Sequence, residues 1–172
     1  AIGEIYEQAK AENVDCMVAI GGGSAIDAAK GASCLVANGG SLRAYGGVNK
    51  VPKKGLPLVA IPTTAGTGSE FTIFAVLSDL KDEIKFTISS PHIAPDIALC
   101  DPEMTLTLPP RVTAATGMDA LTHAVESYTS RIATPVTDVL CLEAIRLLYH
   151  YLPVAVNNGS DLEARSNVLL AA

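Results

Sequence analysis

Residues 16–37, CMVAIGGGSAIDAAKGASCLVA, decide the fold class. The run CMVAI at 16–20 is continuously apolar, ends in three glycines, and is followed over 25–37 by small residues with helical periodicity. A fully apolar strand joined to a helix in this way is typical of a parallel sheet covered on both faces. The stretch therefore predicts an α/β fold.

Shorter patterns on either side extend the alternation of helix and strand. Residues 2–13 have helical periodicity, and residues 58–61, LVAI, form a second continuous apolar strand. Residues 71–78 and 84–88 flank the polar turn 79–83, which predicts a β-hairpin. These elements place the first part of the chain in the α/β class.

The periodicity becomes helical after a further short predicted strand at 97–100. The later predicted helices are 109–130, 135–151 and 162–172. We place the domain boundary near residue 107. The predicted organisation is an α/β domain over 1–107 followed by the start of an all-α domain over 108–172.

Capping signals mark two of the helix starts. Thr134 precedes a proline at the first helical position, and Ser160 with Glu163 forms a capping-box pattern. Both chain ends fall inside helical patterns, whereas domains usually end on surface loops. We therefore expect this sequence to be a segment of a longer protein.

Composition excludes several classes of protein. A net charge of -6 argues against nucleic-acid binding, which normally needs a basic stripe. No apolar run approaches the roughly 18 residues of a membrane span. The four cysteines are far apart within apolar runs, as expected of free thiols in a reducing compartment. We expect a cytoplasmic protein without nucleic-acid or membrane partners.

The motif GGGSAID at 21–27 is the first candidate site. Glycines between a strand and a helix let the backbone approach a ligand, and the helix N-terminus favours phosphate. The alternative is a plain strand-to-helix turn with Ser24 as N-cap and Asp27 at the third helical position. The triplet differs from the usual dinucleotide fingerprint.

The motif PTTAGTGSE at 62–70 directly follows the second apolar strand. Ligands of parallel α/β sheets bind beyond the carboxyl ends of the strands, and this position offers four hydroxyl groups. Ordinary loop chemistry is the alternative, since Thr, Ser and Gly are common in turns. Two such loops, each after an apolar strand, together predict a phosphate or nucleotide site.

Asp119 and His123 are the candidate metal ligands. They are four residues apart on a predicted helix, so a carboxylate and an imidazole share one face. Such a pair can chelate one divalent ion, or it can form a simple hydrogen bond. Apolar neighbours predict that this helix is largely buried, which favours a metal because buried charge needs a partner.

Three further side chains are weaker candidates. Lys85 lies in the predicted hairpin, where it reaches a cofactor phosphate or ribose or else remains solvated. His92 lies in a loop and His150 ends an amphipathic helix, and we expect neither to be a ligand.

Three motifs, in this order and at this separation, resemble the iron-containing, or group III, alcohol dehydrogenases. They are GGGSAID at 21–27, PTTAGTGSE at 62–70 and LPPRVTAATGMDALTHAVESY at 108–128. The likeness covers the chain from end to end. It implies a Rossmann-like dinucleotide-binding domain followed by an all-helical metal-binding domain, with the cofactor in the cleft between them.

The resemblance also implies roles for individual residues. Gly22, Gly23, Ser24 and Asp27 would surround the pyrophosphate and a ribose of NAD or NADP. The residues that would line the rest of the cofactor groove are Thr63, Thr64 and Thr67, with Lys85 on the nicotinamide-side ribose. Asp119 and His123 would be the first two ligands of Fe2+ or, in some members, Zn2+.

The implied reaction is hydride transfer between an alcohol and NAD(P), with the metal polarising the alcohol or carbonyl oxygen. The family completes its metal site with two further histidines that this sequence lacks, so the chain alone should hold metal poorly and show no turnover. A glycerol dehydrogenase-like or dehydroquinate synthase-like metal enzyme, or a non-catalytic nucleotide-binding segment, is the alternative. The expected partners are a small alcohol or aldehyde and, in the full-length protein, further copies of the chain.

Overall fold

The computed structural model describes residues 1–79 and 83–172. Residues 80–82, part of the predicted turn, lie outside the described residues. The helices and strands are α1 (Ile2–Ala11), β1 (Met17–Gly21), α2 (Gly23–Asn38), β2 (Gly47–Val48), β3 (Leu58–Pro62), β4 (Phe74–Asp79), β5 (Ile84–Ser89), β6 (Ile97–Ala98), α3 (Pro110–Tyr128), α4 (Pro135–Asn157) and α5 (Leu162–Ala171). Short 3-10 helices span Leu42–Tyr45, Pro91–Ile93 and Pro102–Thr105.

The described residues form two compact units. The α/β unit comprises Ala1–Pro62 and Ser69–Leu99, and the helical unit comprises Thr63–Gly68 and Cys100–Ala172. The loop 63–68 therefore packs with helices that lie far from it in sequence. The domain boundary drawn near residue 107 from periodicity remains a prediction.

A three-stranded parallel sheet in the order β1-β3-β6 forms the centre of the α/β unit. In its register Met17 is opposite Leu58, and Val59 is opposite Ile97. Helix α2 covers one face, where its Ile26 and Ala29 belong to the same buried cluster as the strand residues Ala19, Leu58 and Ala60. The parallel sheet predicted from the apolar strands is confirmed.

The opposite face of this sheet is not covered by the described residues. Val18 is 58% exposed, and Ile20 and Ile97 are each 56% exposed. Val18 and Ile20 alternate with buried Ala19 along β1, as the period of two requires. The structure thus differs from the two-sided burial that continuous apolar strands predict.

A second sheet in the order β2-β5-β4 packs on the other side of α2. Strands β4 and β5 are antiparallel, with Phe74 opposite Ser89 and Asp79 opposite Ile84. The buried residues of this core are Cys34, Leu35, Tyr45, Val51, Ala75, Leu77, Ile88 and Ile93. The paired strands of the predicted hairpin are confirmed.

The helical unit consists of α3, α4 and α5 around one apolar core. Its buried members are Ala65, Ala120, Leu148, Leu152, Ala155, Ala164, Val168 and Leu169. Helix α4 continues through Pro153 to Asn157, beyond the predicted end at residue 151. Proline removes one backbone hydrogen bond, but Leu152 and Ala155 on either side of it are both buried, so tertiary packing favours continuation.

The two predicted caps have different outcomes. Thr134 is confirmed, because its side chain accepts a hydrogen bond from the backbone N–H of Thr137. The cap predicted at Ser160 is wrong, since α5 is capped by Asp161, whose carboxylate accepts from the N–H of Ala164. The hydroxyl of Ser160 instead donates to the side chain of Asn158.

Among the described residues, α4 is long and apolar enough to cross a membrane by length and composition alone. This finding differs from the absence of such a run that the sequence predicts. The second half of α4 is packed in the helical core through Leu147, Leu148 and Leu152. The first half instead exposes Val136 and Val139, at 71% and 67%.

Candidate functional site

The turn between β1 and α2 needs its glycines. Gly21 has a φ of +154°, and a Cβ there would lie 2.7 Å from the Cβ of Ala25. Gly22 is the N-cap of α2, and no side chain caps this helix. The alternative in which Ser24 is the N-cap is therefore wrong, because Ser24 lies exposed within the first turn.

The N-terminal turn of α2 keeps the features that favour an anion. The backbone N–H groups of the first helical residues point out of the helix end, where its dipole is positive. No acidic side chain lies in this first turn. Gly22 and Gly23 are partly exposed and Ser24 is exposed, so a phosphate can approach this turn.

Asp27 has a different environment, because it is almost fully buried and bonded within the α/β unit. One carboxylate oxygen accepts from the hydroxyl of Ser69 at 2.5 Å, and the other accepts from the N–H of Val76 at 2.8 Å. The carboxylate thus ties α2 to the segment that leads into β4. A contact between Asp27 and the cofactor remains a prediction.

Lys30, one turn after Asp27, is completely buried. Its Nζ donates to the carbonyl oxygens of Phe74 at 2.7 Å and Thr72 at 3.0 Å, and lies 3.8 Å from the Asp27 carboxylate. Burial lowers the pKa of Lys30 to about 8, although the negative charges of Asp27 and Glu70 act in the opposite direction. Lys30 and Asp27 therefore hold the same segment against α2.

Glu70 completes this buried charged group, with only 5% of its surface exposed. Burial raises its pKa above the usual range, while its own backbone N–H and the charge of Lys30 lower it. Sequence reasoning missed Lys30 and Glu70 as parts of one group. The available signal was a lysine within the small apolar residues of α2, three positions after an aspartate.

Lys85 lies on β5 opposite Ser78, and its side chain is exposed. This placement agrees both with a solvated strand lysine and with one that reaches a ligand. Its predicted contact with the cofactor ribose remains a prediction. His92 instead has a structural contact, since its Nδ1 is 2.9 Å from the carbonyl oxygen of Val51.

We call residues 63–68, TTAGTG, the threonine loop. Its two small central residues, Ala65 and Gly66, hold the loop on the helical unit. Ala65 is buried in the same cluster as Ala120 of α3. A Cβ on Gly66 would lie 2.3 Å from the carbonyl oxygen of Thr116 on that helix. Thr63 and Thr64 are partly exposed and Thr67 is exposed, so the packed loop presents threonine side chains at its surface.

Asp119 and His123 lie together on α3. Their Oδ1 and Nε2 atoms are 3.8 Å apart, and each side chain is half exposed. Two donors bound at roughly 2.1 Å to one tetrahedral ion would be about 3.4 Å apart, so a small side-chain rotation suffices for chelation. Among residues 1–79 and 83–172, no third His, Cys, Asp or Glu joins them in a metal-binding group.

The surroundings of this pair differ from the sequence-based expectation. Only one stripe of α3 is buried, formed by Thr113, Gly117, Ala120 and Ala124. Val125 is exposed, so the prediction that this helix is largely buried is wrong. Because Asp119 and His123 are half exposed, burial gives no reason for a metal here, and their donor chemistry and spacing support it instead.

Comparison with known proteins identifies the family of the whole chain. The family model described as "Iron-containing alcohol dehydrogenase" matches residues 1–102. The model described as "Fe-containing alcohol dehydrogenase family, C-terminal" matches residues 113–172. The two matches follow each other in the same order as the α/β elements and the helices.

Individual relatives agree with these matches. The chain is 52% identical over 165 residues to alcohol dehydrogenase 4 of Schizosaccharomyces pombe, covering 96% of this chain and 39% of that protein. It is 49% identical over 162 residues to the NAD-dependent methanol dehydrogenase of Bacillus methanolicus, covering 94% and 42%. The solved alcohol dehydrogenase of Oenococcus oeni superposes with a TM-score of 0.96 at 39% identity, covering 99% and 44%.

The chain thus spans about two fifths of the length of these relatives. The matched part nevertheless includes both the glycine turn at the start of α2 and the Asp119–His123 pair on α3. On the combined matches, this chain belongs to the iron-containing alcohol dehydrogenase family.

Proposed function

We propose that this chain is part of an alcohol dehydrogenase that transfers a hydride between an alcohol and NAD or NADP with the help of one divalent metal ion. The observation that supports it most directly is the Asp119–His123 pair, whose oxygen and nitrogen donors lie 3.8 Å apart on an exposed helix face. The threonine loop packs on the same helix, at Thr116 and Ala120.

Asp119 and His123 would hold the metal as two of its ligands. A carboxylate oxygen and an imidazole nitrogen suit Fe2+ and also Zn2+, and their half exposure leaves room for further ligands. When bound, such an ion supplies a Lewis acid for the oxygen of the alcohol or carbonyl substrate. The pair alone should bind metal exchangeably, because each absent ligand weakens the site.

The glycine turn and the threonine loop would hold the cofactor. In the α/β unit, the uncapped N-terminus of α2 at Gly22, Gly23 and Ser24 offers backbone N–H groups to a phosphate. In the helical unit, the hydroxyls of the threonine loop can donate to phosphate or ribose oxygens. Asp27 and Lys85 complete the proposed set of cofactor-binding residues. Asp27 would contribute by holding in place the segment that leads into β4.

The substrate class follows from this chemistry. A Lewis acid beside a hydride acceptor suits a small alcohol or aldehyde, and we propose that class without a particular member. A homodimer or larger homo-oligomer of the full-length protein, a cytoplasmic location, and the absence of nucleic-acid and membrane partners belong to the same proposal.

The test removes the two metal ligands one at a time in the full-length enzyme. Asp119→Ala and His123→Ala should each lose bound iron or zinc, measured by elemental analysis, and lose NAD+ reduction with a panel of small alcohols. Glu143→Ala is the matched control, because Glu143 is an exposed carboxylate of the helical unit that pairs with Arg146. The control should keep both metal and turnover.

NADH binding separates loss of the metal from loss of the fold. Fluorescence titration should still detect NADH binding to both variants, since neither residue belongs to the proposed cofactor set. If either variant kept the metal content and rate of the unmodified enzyme, the metal assignment would be wrong. If the unmodified enzyme reduced no NAD+ or NADP+ with any alcohol, the proposed reaction would be wrong.

A further inference from the structure

The threonine loop contains two glycines with different backbone requirements. Gly68 has a φ of +59°, a conformation that other residues rarely adopt. Gly66 lies outside that region, so backbone conformation gives no reason for a glycine there. The reason lies in its surroundings.

Gly66 lies directly against the backbone of α3. A Cβ at this position would be 2.3 Å from the carbonyl oxygen of Thr116, 2.8 Å from its carbonyl carbon and 2.9 Å from its Cβ. Two of these atoms are helix backbone, which cannot rotate away as a side chain can. Any side chain at position 66 must therefore move the loop away from the helix.

The contact is adjacent to the proposed metal ligands. Thr116 and Asp119 are three residues apart on α3, and so are Ala120 and His123, which makes each pair neighbours on the helix surface. Ala65 is buried with Ala120. The loop thus packs on the same two turns of helix that carry the metal-binding pair.

We propose that Gly66 is a positioning residue that couples cofactor binding by the threonine loop to metal binding on α3. This inference rests on the proposed function, because it takes the threonine loop as a cofactor contact and Asp119 with His123 as metal ligands. Closely packed groups shift together rather than independently. A metal that fixes the α3 side chains therefore also favours one loop position, and the effect is reciprocal.

The experiment measures this coupling directly in the full-length enzyme. NADH affinity is determined by fluorescence titration with saturating Zn2+ and after complete removal of metal. In the unmodified enzyme the two dissociation constants should differ by about fivefold or more, the lower range of measured couplings. In Gly66→Ala the difference should fall below about twofold, while NADH and Zn2+ each still bind.

Matched variants separate positioning from general damage. Gly3→Ala on α1 adds a methyl group where no atom lies within 4 Å, so it should keep the full coupling. If Gly66→Ala fails to fold, Ala65→Gly decides the matter, because it removes the buried methyl without adding an atom. Ala65→Gly should also lower the coupling ratio.

Each outcome has a defined meaning. The inference is overturned if Gly66→Ala keeps the full ratio of dissociation constants, or if Ala65→Gly keeps it when Gly66→Ala does not fold. It is also overturned if the NADH affinity of the unmodified enzyme is the same with and without metal. A purely structural role would lower the unfolding temperature and leave the ratio of dissociation constants intact. Failure of the proposed function is distinct, because the unmodified enzyme would then bind no NADH, or would keep its metal without Asp119.

Discussion

Replacing Lys30 by methionine should change how the stability of the α/β unit depends on pH. The Lys30 side chain is fully buried and donates to the carbonyl oxygens of Thr72 and Phe74. Methionine has a similar length and no charge, so the variant removes the titration with little change in volume. The two carbonyl oxygens left without a donor lower the stability at every pH, whereas the lost titration changes how the stability depends on pH.

The sign and size follow from the pKa of Lys30. It is about 8 in the folded protein because of burial, against 10.5 for an unburied lysine. Between these two values the unfolded chain binds more protons than the folded one, so the free energy of unfolding rises with pH. At about 1.4 kcal/mol per pH unit, this rise amounts to about 3 kcal/mol over the interval. Below pH 8 both states carry the proton, and the contribution is flat.

Urea denaturation followed by circular dichroism measures this dependence at a series of pH values between neutrality and about 10.5. The difference in unfolding free energy between the unmodified protein and Lys30→Met should grow by about 3 kcal/mol across that range. Other titrating groups are common to both proteins and cancel in the difference. Gln8→Met, which changes an exposed uncharged side chain on α1, should give a constant difference.

Two parallel pH profiles would refute the reasoning, because Lys30 would then titrate alike in the folded and unfolded states. A difference that shrinks as the pH rises would be equally damaging. It would mean that the attraction of Asp27 and Glu70 outweighs desolvation at this site.

Two further predictions concern the helical unit. Gly117→Ala should destabilise it by about 1–2 kcal/mol in urea denaturation, because overpacking outweighs the gain in helix propensity; the new Cβ would lie 2.3 Å from a methyl of Leu152, and increased stability would contradict this. Arg165→Met should cost about 2–4 kcal/mol, because the buried hydroxyl of Thr113 and the partly buried carbonyl oxygen of Leu108 lose their donor; an unchanged unfolding midpoint would show that water replaces the guanidinium.

The architecture could be predicted where local pattern and tertiary packing agree. The run at 16–20 and the run at 58–61 are apolar at every position, and they pair as parallel strands β1 and β3. Strand periodicity likewise located the antiparallel pair β4–β5. The described residues bury these strands on one face, and this chain spans about two fifths of the length of its relatives, so two-sided burial in the full-length protein stays a prediction.

For the candidate site, sequence could predict which residues share a helix face, but it could not predict their tertiary contacts. The spacing of Asp119 and His123 gave their shared helix face, which the 3.8 Å distance between their donor atoms confirms. Sequence could not indicate that Asp27 binds Ser69 and Val76, since those partners are distant in the chain. The packing of Gly66 on Thr116 could not be predicted from sequence either, because these two residues are also distant in the chain.

The register of the parallel sheet has a consequence for how the chain folds. Strand β1 can pair only after β3 has been synthesised, because Met17 lies opposite Leu58. Strand β6 is added later still, because Val59 lies opposite Ile97. Pairings so distant in sequence form slowly, and during synthesis the apolar side chains of β1 emerge long before their partners. We therefore expect the apolar side chains of β1, Val18 and Ile20 among them, to remain unpaired on the nascent chain until β3 has been synthesised.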